Sequence, residues 1–171
     1  CWGANEDGQL GDGTTVDRSS PVRVGTEAGW ARVSVGFSHT CATRDDGSLW
    51  CWGWNGFQQL GEGTDTNRAT PVRIGAETGW ARVAAGMYDT CATRDDGSLW
   101  CWGSNATGQL GDGTTDDQAR PVRVGGESTW AGVAVGQYHV CATRTDGTLW
   151  CWGNNDFGQL GDGTTTERGV P

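Results

Sequence analysis

The chain has 171 residues and a formal net charge of −9, from 21 acidic and 12 basic side chains, which is one ordinary domain at most. With 35% hydrophobic residues it holds no run near the roughly 20 apolar residues of a membrane-spanning helix, so membrane insertion is not expected. Every basic side chain is arginine and the acidic excess repels a phosphate backbone, so nucleic acid is not an expected partner.

Cys1-Trp2-Gly3 opens the chain, followed by the patch Ala4-Asn5-Glu6-Asp7 and the glycine-rich turn from Gly8 to Thr15. No charged segment leads into an apolar core, so any targeting signal is expected outside this stretch. Pro21-Val22-Arg23-Val24 opens with Pro and carries Arg, as an outer edge strand does. From Trp30 to Gly36, Val33 and Val35 alternate onto one face, the signature of a first strand. His39 to Arg44 and Ser48 to Gly53 read as a hairpin. Between them, Asp45-Asp46-Gly47 places glycine where a three-residue turn needs a left-handed residue.

The whole unit then recurs with a period of 50 residues. Cys-Trp-Gly returns at Cys51, Cys101 and Cys151, and Gln-Leu-Gly starts at Gln9, Gln59, Gln109 and Gln159, with no insertion. Units 1–50, 51–100 and 101–150 are complete, and 151–171 is a partial fourth. Four short antiparallel strands per unit make one blade of an all-β propeller. The chain is expected to be a stretch of about three and a half blades from one propeller domain, cut in mid-blade at both ends. The remaining blades of the same propeller are then its first expected neighbours.

The hairpin makes a prediction about cysteine. With the turn centred on Asp46, Cys41 lies opposite Cys51, and the same holds for Cys91 with Cys101 and Cys141 with Cys151. Opposed positions bring Cβ atoms to about 4.5–5.5 Å, near disulfide geometry. Each bridge would add about 2.5–3 kcal/mol by constraining the unfolded chain. The alternative is buried thiols acting as small hydrophobes. Cys1 is left unpaired, its partner position falling before the first residue.

The unit CWGxNxxGQLGDGTT, followed by PVxV and GxxHxCAxxxDGxLW, resembles the repeat of the regulator of chromosome condensation family in its Cys-rich, bacterial-like form. That resemblance implies a seven-bladed ring, of which this chain would be about half. Local departures are Gln58 for Gly, Asp89 for His, Gln118 for Arg and Thr129 for Gly.

No residue set calls for catalysis. Trp50 with Trp52, Trp100 with Trp102 and Trp150 with Trp152 share strand faces and read as core, with ligand stacking as the alternative. His39 and His139 read as buried histidines bonded to backbone at a strand start. They lie in blades separated by one that has Asp89 instead, and no spacing suits zinc. Asp12, Glu62, Asp112 and Asp162 sit beside glycines as turn-bonding carboxylates, although Glu62 fits that reading less well. No cofactor or metal is expected, and no nucleophile with a base stands out.

Function is sought instead at positions that vary between units, because a residue serving one partner need not recur. Two such patches carry Trp54, Phe57 and Phe157 after CWG, and Phe37, Met87, Tyr88 and Tyr138 after the first strand. These seven are the candidate partner-binding residues. The expected function is a non-enzymatic scaffold presenting variable loops to a protein, or to a glycan, outside the cell or on its surface. The resemblance implies one form of this, a secreted inhibitor like the family's β-lactamase inhibitor. It also implies the alternative, guanine nucleotide exchange on a small GTPase, with a cytoplasmic location.

Overall fold

A computed structural model describes all residues, 1–171, and contains eleven strands and no helix. Blade one is β1 (Trp30–Val35), β2 (His39–Arg44), β3 (Leu49–Gly53) and β4 (Arg68–Arg73), paired antiparallel in that order. Blade two repeats it with β5 (Trp80–Ala85), β6 (Asp89–Arg94), β7 (Leu99–Gly103) and β8 (Gln118–Arg123). Blade three has β9 (Trp130–Val135), β10 (His139–Arg144) and β11 (Leu149–Gly153), with a single bridge from Gly153 to Arg168 where a fourth strand would pair. At the other end Cys1 exchanges backbone bonds with Val22, and Gly3 bridges Arg18, so residues 1–22 supply the outer half of a further blade.

The hairpin forms as its turn residues dictate. Gly47 has φ +74°, its N–H donates to Arg44 O, and Arg44 N–H donates to Ser48 O, closing a three-residue loop. With Arg44 and Ser48 hydrogen-bonded, alternation makes Cys41 and Cys51 a non-hydrogen-bonded pair, the closer kind. Their Cα atoms are 4.1 Å apart and the sulfurs are bonded, as they are for Cys91–Cys101 and Cys141–Cys151. Cys1 is free and half-buried.

The core does not lie inside a blade but between blades. Cys41, Leu49, Cys51, Leu60 and Ile74 of blade one pack against Trp80, Ala92 and Trp102 of blade two. The same positions, Cys91, Leu99, Cys101, Leu110 and Val124, pack against Trp130, Val140, Ala142 and Trp152. The inner strands β1, β5 and β9 contact one another in sequence, and this curves the array. The recurrent Gln-Leu-Gly staples each seam: Trp52, Trp102 and Trp152 donate their indole N–H to Gln9, Gln59 and Gln109 O at 2.9–3.0 Å. A Cβ on Gly61 would lie 2.5 Å from Trp102 Nε1, which is why this position must be glycine.

One element differs from expectation. The outer strand starts at Arg68 and Gln118, three residues before Pro71 and Pro121, because Gly53 and Gly103 pair with those polar residues. Pro occupies a mid-strand position on an edge whose outer side has no partner strand, where the missing N–H costs nothing.

Candidate functional site

The loops that carry the variable positions are built on an invariant polar hub. Asn5, Asn55, Asn105 and Asn155 are fully buried. Asn5 Nδ2 donates to Thr14 O and Val16 O, and its Oδ1 accepts from Leu10 N, so one side chain fixes three points of the loop. Within the variable patch, then, the Asn is structural. Beside it Asp12 accepts from the Thr14 hydroxyl (2.7 Å), Thr14 N and Arg18 Nε, the expected turn bonding. The Thr14 hydroxyl and Arg18 hold its carboxyl low, at about 2. Glu62 serves the same purpose by accepting from Thr64 Oγ1 and Arg68 Nε, and Gln118 replaces Arg by donating to Asp112 Oδ2.

Where the loop after β3 meets the β5–β6 and β9–β10 turns, four of the seven candidates come together. Trp54 and Phe57 stand edge to face with centroids 5.6 Å apart, and Tyr88 closes a triangle at 5.4 Å from Trp54 and 4.9 Å from Phe57. Tyr138, from the next blade, stands 6.3 Å from Tyr88. Phe57 and Tyr138 are exposed, Trp54 and Tyr88 half-buried. Gly56 lets the Trp54 ring fold back, since a Cβ there would sit 2.7 Å from it. Gln58, next to Phe57, is the chain's one non-glycine residue at positive φ (63°), a strained backbone supporting the patch. The other candidates lie apart. Phe37 and Met87 line the cleft where the three inner strands end, and Phe157 is 93% exposed with no aromatic partner.

Beneath the patch run the seams, and here two buried titratable side chains stand at equivalent positions. His39 Nε2 lies 2.9 Å from Thr90 Oγ1 of the next blade. Since Thr90 donates its own proton to Gln59 O at 2.8 Å, the hydroxyl oxygen accepts from the Nε2–H of a neutral imidazole. Trp102 donates to the same carbonyl, completing a four-group relay across the seam. The expected backbone bond to His39 is thus replaced by a bond to a hydroxyl 51 residues away. Burial pushes the His39 pKa down to about 4. Asp89 takes this place in blade two, fully buried, with neither carboxylate oxygen hydrogen-bonded. Burial raises its pKa well above the usual carboxylate range, against a smaller opposing pull from the nearby backbone N–H groups of Tyr88 and Asp89. Reading each unit alone gave no warning of these pairings.

Arginines lie over tryptophan faces at the lower strand ends: Arg44 is 4.5 Å from the Trp30 centroid and 4.6 Å from Trp50, and Arg144 repeats the stack with Trp130 and Trp150. Trp30 and Trp50 are half-buried, Trp130 is buried and Trp150, read from the strand pattern as core, is exposed; all four are packing partners of cations, an energetic role the strand pattern alone did not distinguish from plain core.

Comparison with known proteins agrees with this architecture. The family model described as Regulator of chromosome condensation (RCC1) repeat matches residues 1–43, 46–93 and 96–143. A second model of the same description matches 30–59, 80–109 and 130–159. Among solved structures, human WBSCR16 superposes with a TM-score of 0.85 at 24% identity, covering 98% of this chain and 44% of that one. Yeast RCC1 (Prp20) bound to Kap60 gives 0.84 at 21% identity, with 99% and 43% covered. Prp20p from Saccharomyces cerevisiae, described with binding properties to Gsp1p and histones, gives 0.84 at 22% identity, with 99% and 44% covered. The chain therefore spans less than half the length of these structures, and the likeness shows the fold. No curated protein matches it.

Proposed function

The chain belongs to the regulator of chromosome condensation repeat family, and from that premise we propose that it is a non-enzymatic binding scaffold whose variable loops hold a protein partner. The observation that carries this reading is the patch Trp54, Phe57, Tyr88 and Tyr138. Its rings come from three separate loops and touch in one contiguous group, at positions where the repeat itself requires no aromatic residue. Large, rigid aromatic side chains give much contact area for little lost conformational freedom, the composition of binding hot spots. Protein partners of the superposing Prp20 structures, Kap60, Gsp1p and histones, support a protein over a glycan. The three Cys pairs at bonding distance support an oxidising compartment, outside the cell or on its surface.

Site-specific photo-crosslinking tests the reading in the full protein. A crosslinker replacing Tyr138 should give one protein adduct of defined mass, and Trp54→Ala should abolish it. An equal yield from a crosslinker at exposed Val16, or insensitivity to Trp54→Ala, contradicts a role for the patch. Guanine nucleotide exchange on a small GTPase at ordinary exchange-factor rates contradicts it in favour of the alternative.

A further inference from the structure

The two complete seams are built from the same repeat yet are joined differently at the inner strands. Between blades one and two, three of the hydrogen bonds that cross have no counterpart in the next seam. Phe37 N–H donates to Gly86 O (3.1 Å), Ala85 N–H donates to Ser34 Oγ (3.0 Å), and His39 Nε2–H donates to Thr90 Oγ1 (2.9 Å). Between blades two and three the matched residues are Ala84 for Ser34, Asp89 for His39 and Val140 for Thr90, and none of the three bonds forms. Asp89 points into this seam. A Cβ on Gly86 would lie 2.5 Å from Asp89 Oδ1 and 2.4 Å from Val135 Cγ1 of β9, so the carboxylate and the neighbouring blade converge on the same spot. Where its predecessor finds a hydroxyl, Asp89 has a buried valine, Val140.

No charge compensates it. β7 and β9 carry no ionisable side chain apart from disulfide-bonded Cys101 in β7. On β5, Arg82 is exposed. On its own strand, Arg94 is at the far end, beside Trp80 and Trp100. On β10, His139 tucks beneath Gly136 of its own blade, on the side opposite to Val140, while Arg144 is stacked between Trp130 and Trp150. An ionised carboxylate here would be an unpaired charge in an apolar joint, which is strongly disfavoured.

We propose that Asp89 is a proton-binding site that makes the seam between blades two and three a pH-sensitive joint, closed while the carboxyl is neutral and loosened when it ionises. Burial raising the Asp89 pKa agrees with this geometry. The sign follows from linkage. The unfolded carboxyl, with a pKa of about 3.9, loses its proton before the folded one does, so stability falls as pH rises from there to the raised folded value. The joint lies directly under the aromatic patch, because Tyr88 precedes Asp89 and meets Tyr138 across it. Ionisation would therefore disturb the spacing of those rings.

Two measurements on the oxidised 171-residue chain decide it. Carbon-detected NMR of the Asp89 carboxyl should show it losing its proton well above the ordinary carboxylate range; a titration within that range, like that of an exposed aspartate, overturns the proposal. Equilibrium unfolding of wild type and Asp89→Asn should give a ratio of unfolding constants that grows about tenfold per pH unit from pH 5 towards the folded pKa. A ratio constant across pH 5 to 8 overturns it. The NMR titration requires no variant, so a misfolded Asp89→Asn leaves the first test standing.

Discussion

The seam between blades one and two and the seam between blades two and three bury nearly the same apolar set, yet respond to protons in opposite directions. In the first, His39 is neutral, buried and hydrogen-bonded to Thr90; in the second, Asp89 is buried and unbonded. For His39 the folded pKa of about 4 lies below the unfolded value of 6.5. The unfolded chain binds the proton first on acidification, so the stability present above pH 6.5 is lost as pH falls towards 4. For Asp89 the folded pKa is raised, and stability is lost as pH rises. Apolar burial sets the common strength of the joints, and single polar substitutions set how each answers its surroundings.

The comparison breaks first if the apolar part is not common. Trp102→Ala and Trp152→Ala each remove a fully buried ring and the bond to a Gln carbonyl, and each should cost about 3–5 kcal/mol in denaturant unfolding. A difference of several kcal/mol between the two would show that the seams differ in packing, not only in polar contacts. Next in size is the His39 titration. Acidification from pH 7 to 4 should remove roughly 3 kcal/mol through this residue, and His39→Gln should suppress that loss in urea unfolding. The smallest effects sharpen the contrast by exchanging residues. Thr90→Val, which makes the first seam like the second, should cost about 1–3 kcal/mol by leaving the His39 Nε2–H buried without an acceptor. The reverse exchange, Asp89→His with Val140→Thr, should gain about 1 kcal/mol in thermal unfolding at pH 7 by rebuilding the relay.

Much of the blade was legible because its determinants are local and recur. Gly47 fixes the hairpin turn, the turn fixes the register, and the register sets Cys41 opposite Cys51. The start of the outer strand was not legible, since Arg68-Ala69-Thr70 has no apolar alternation and is recruited only by pairing with Gly53. Asn5 was read as part of a variable patch because its neighbours vary, although its recurrence at Asn55, Asn105 and Asn155 was the signal of a structural role. The aromatic candidates were visible one by one. Their grouping was not, because Phe57, Tyr88 and Tyr138 meet only once blades are stacked, and the same stacking leaves Phe37 and Met87 at the inner cleft. The partner of His39 lies in another repeat for the same reason, so comparing each residue with its own unit could not find it.

The central claim, two joints of like packing and opposite proton response, is tested most directly by native-state amide exchange at pH 5 and pH 7, corrected for intrinsic exchange rates. Ala85, whose N–H crosses the first seam to Ser34, should lose protection on going from pH 7 to pH 5. Trp130, whose N–H crosses the second seam to Gly97 O, should gain it. Protection that moves in the same direction at both residues contradicts the account.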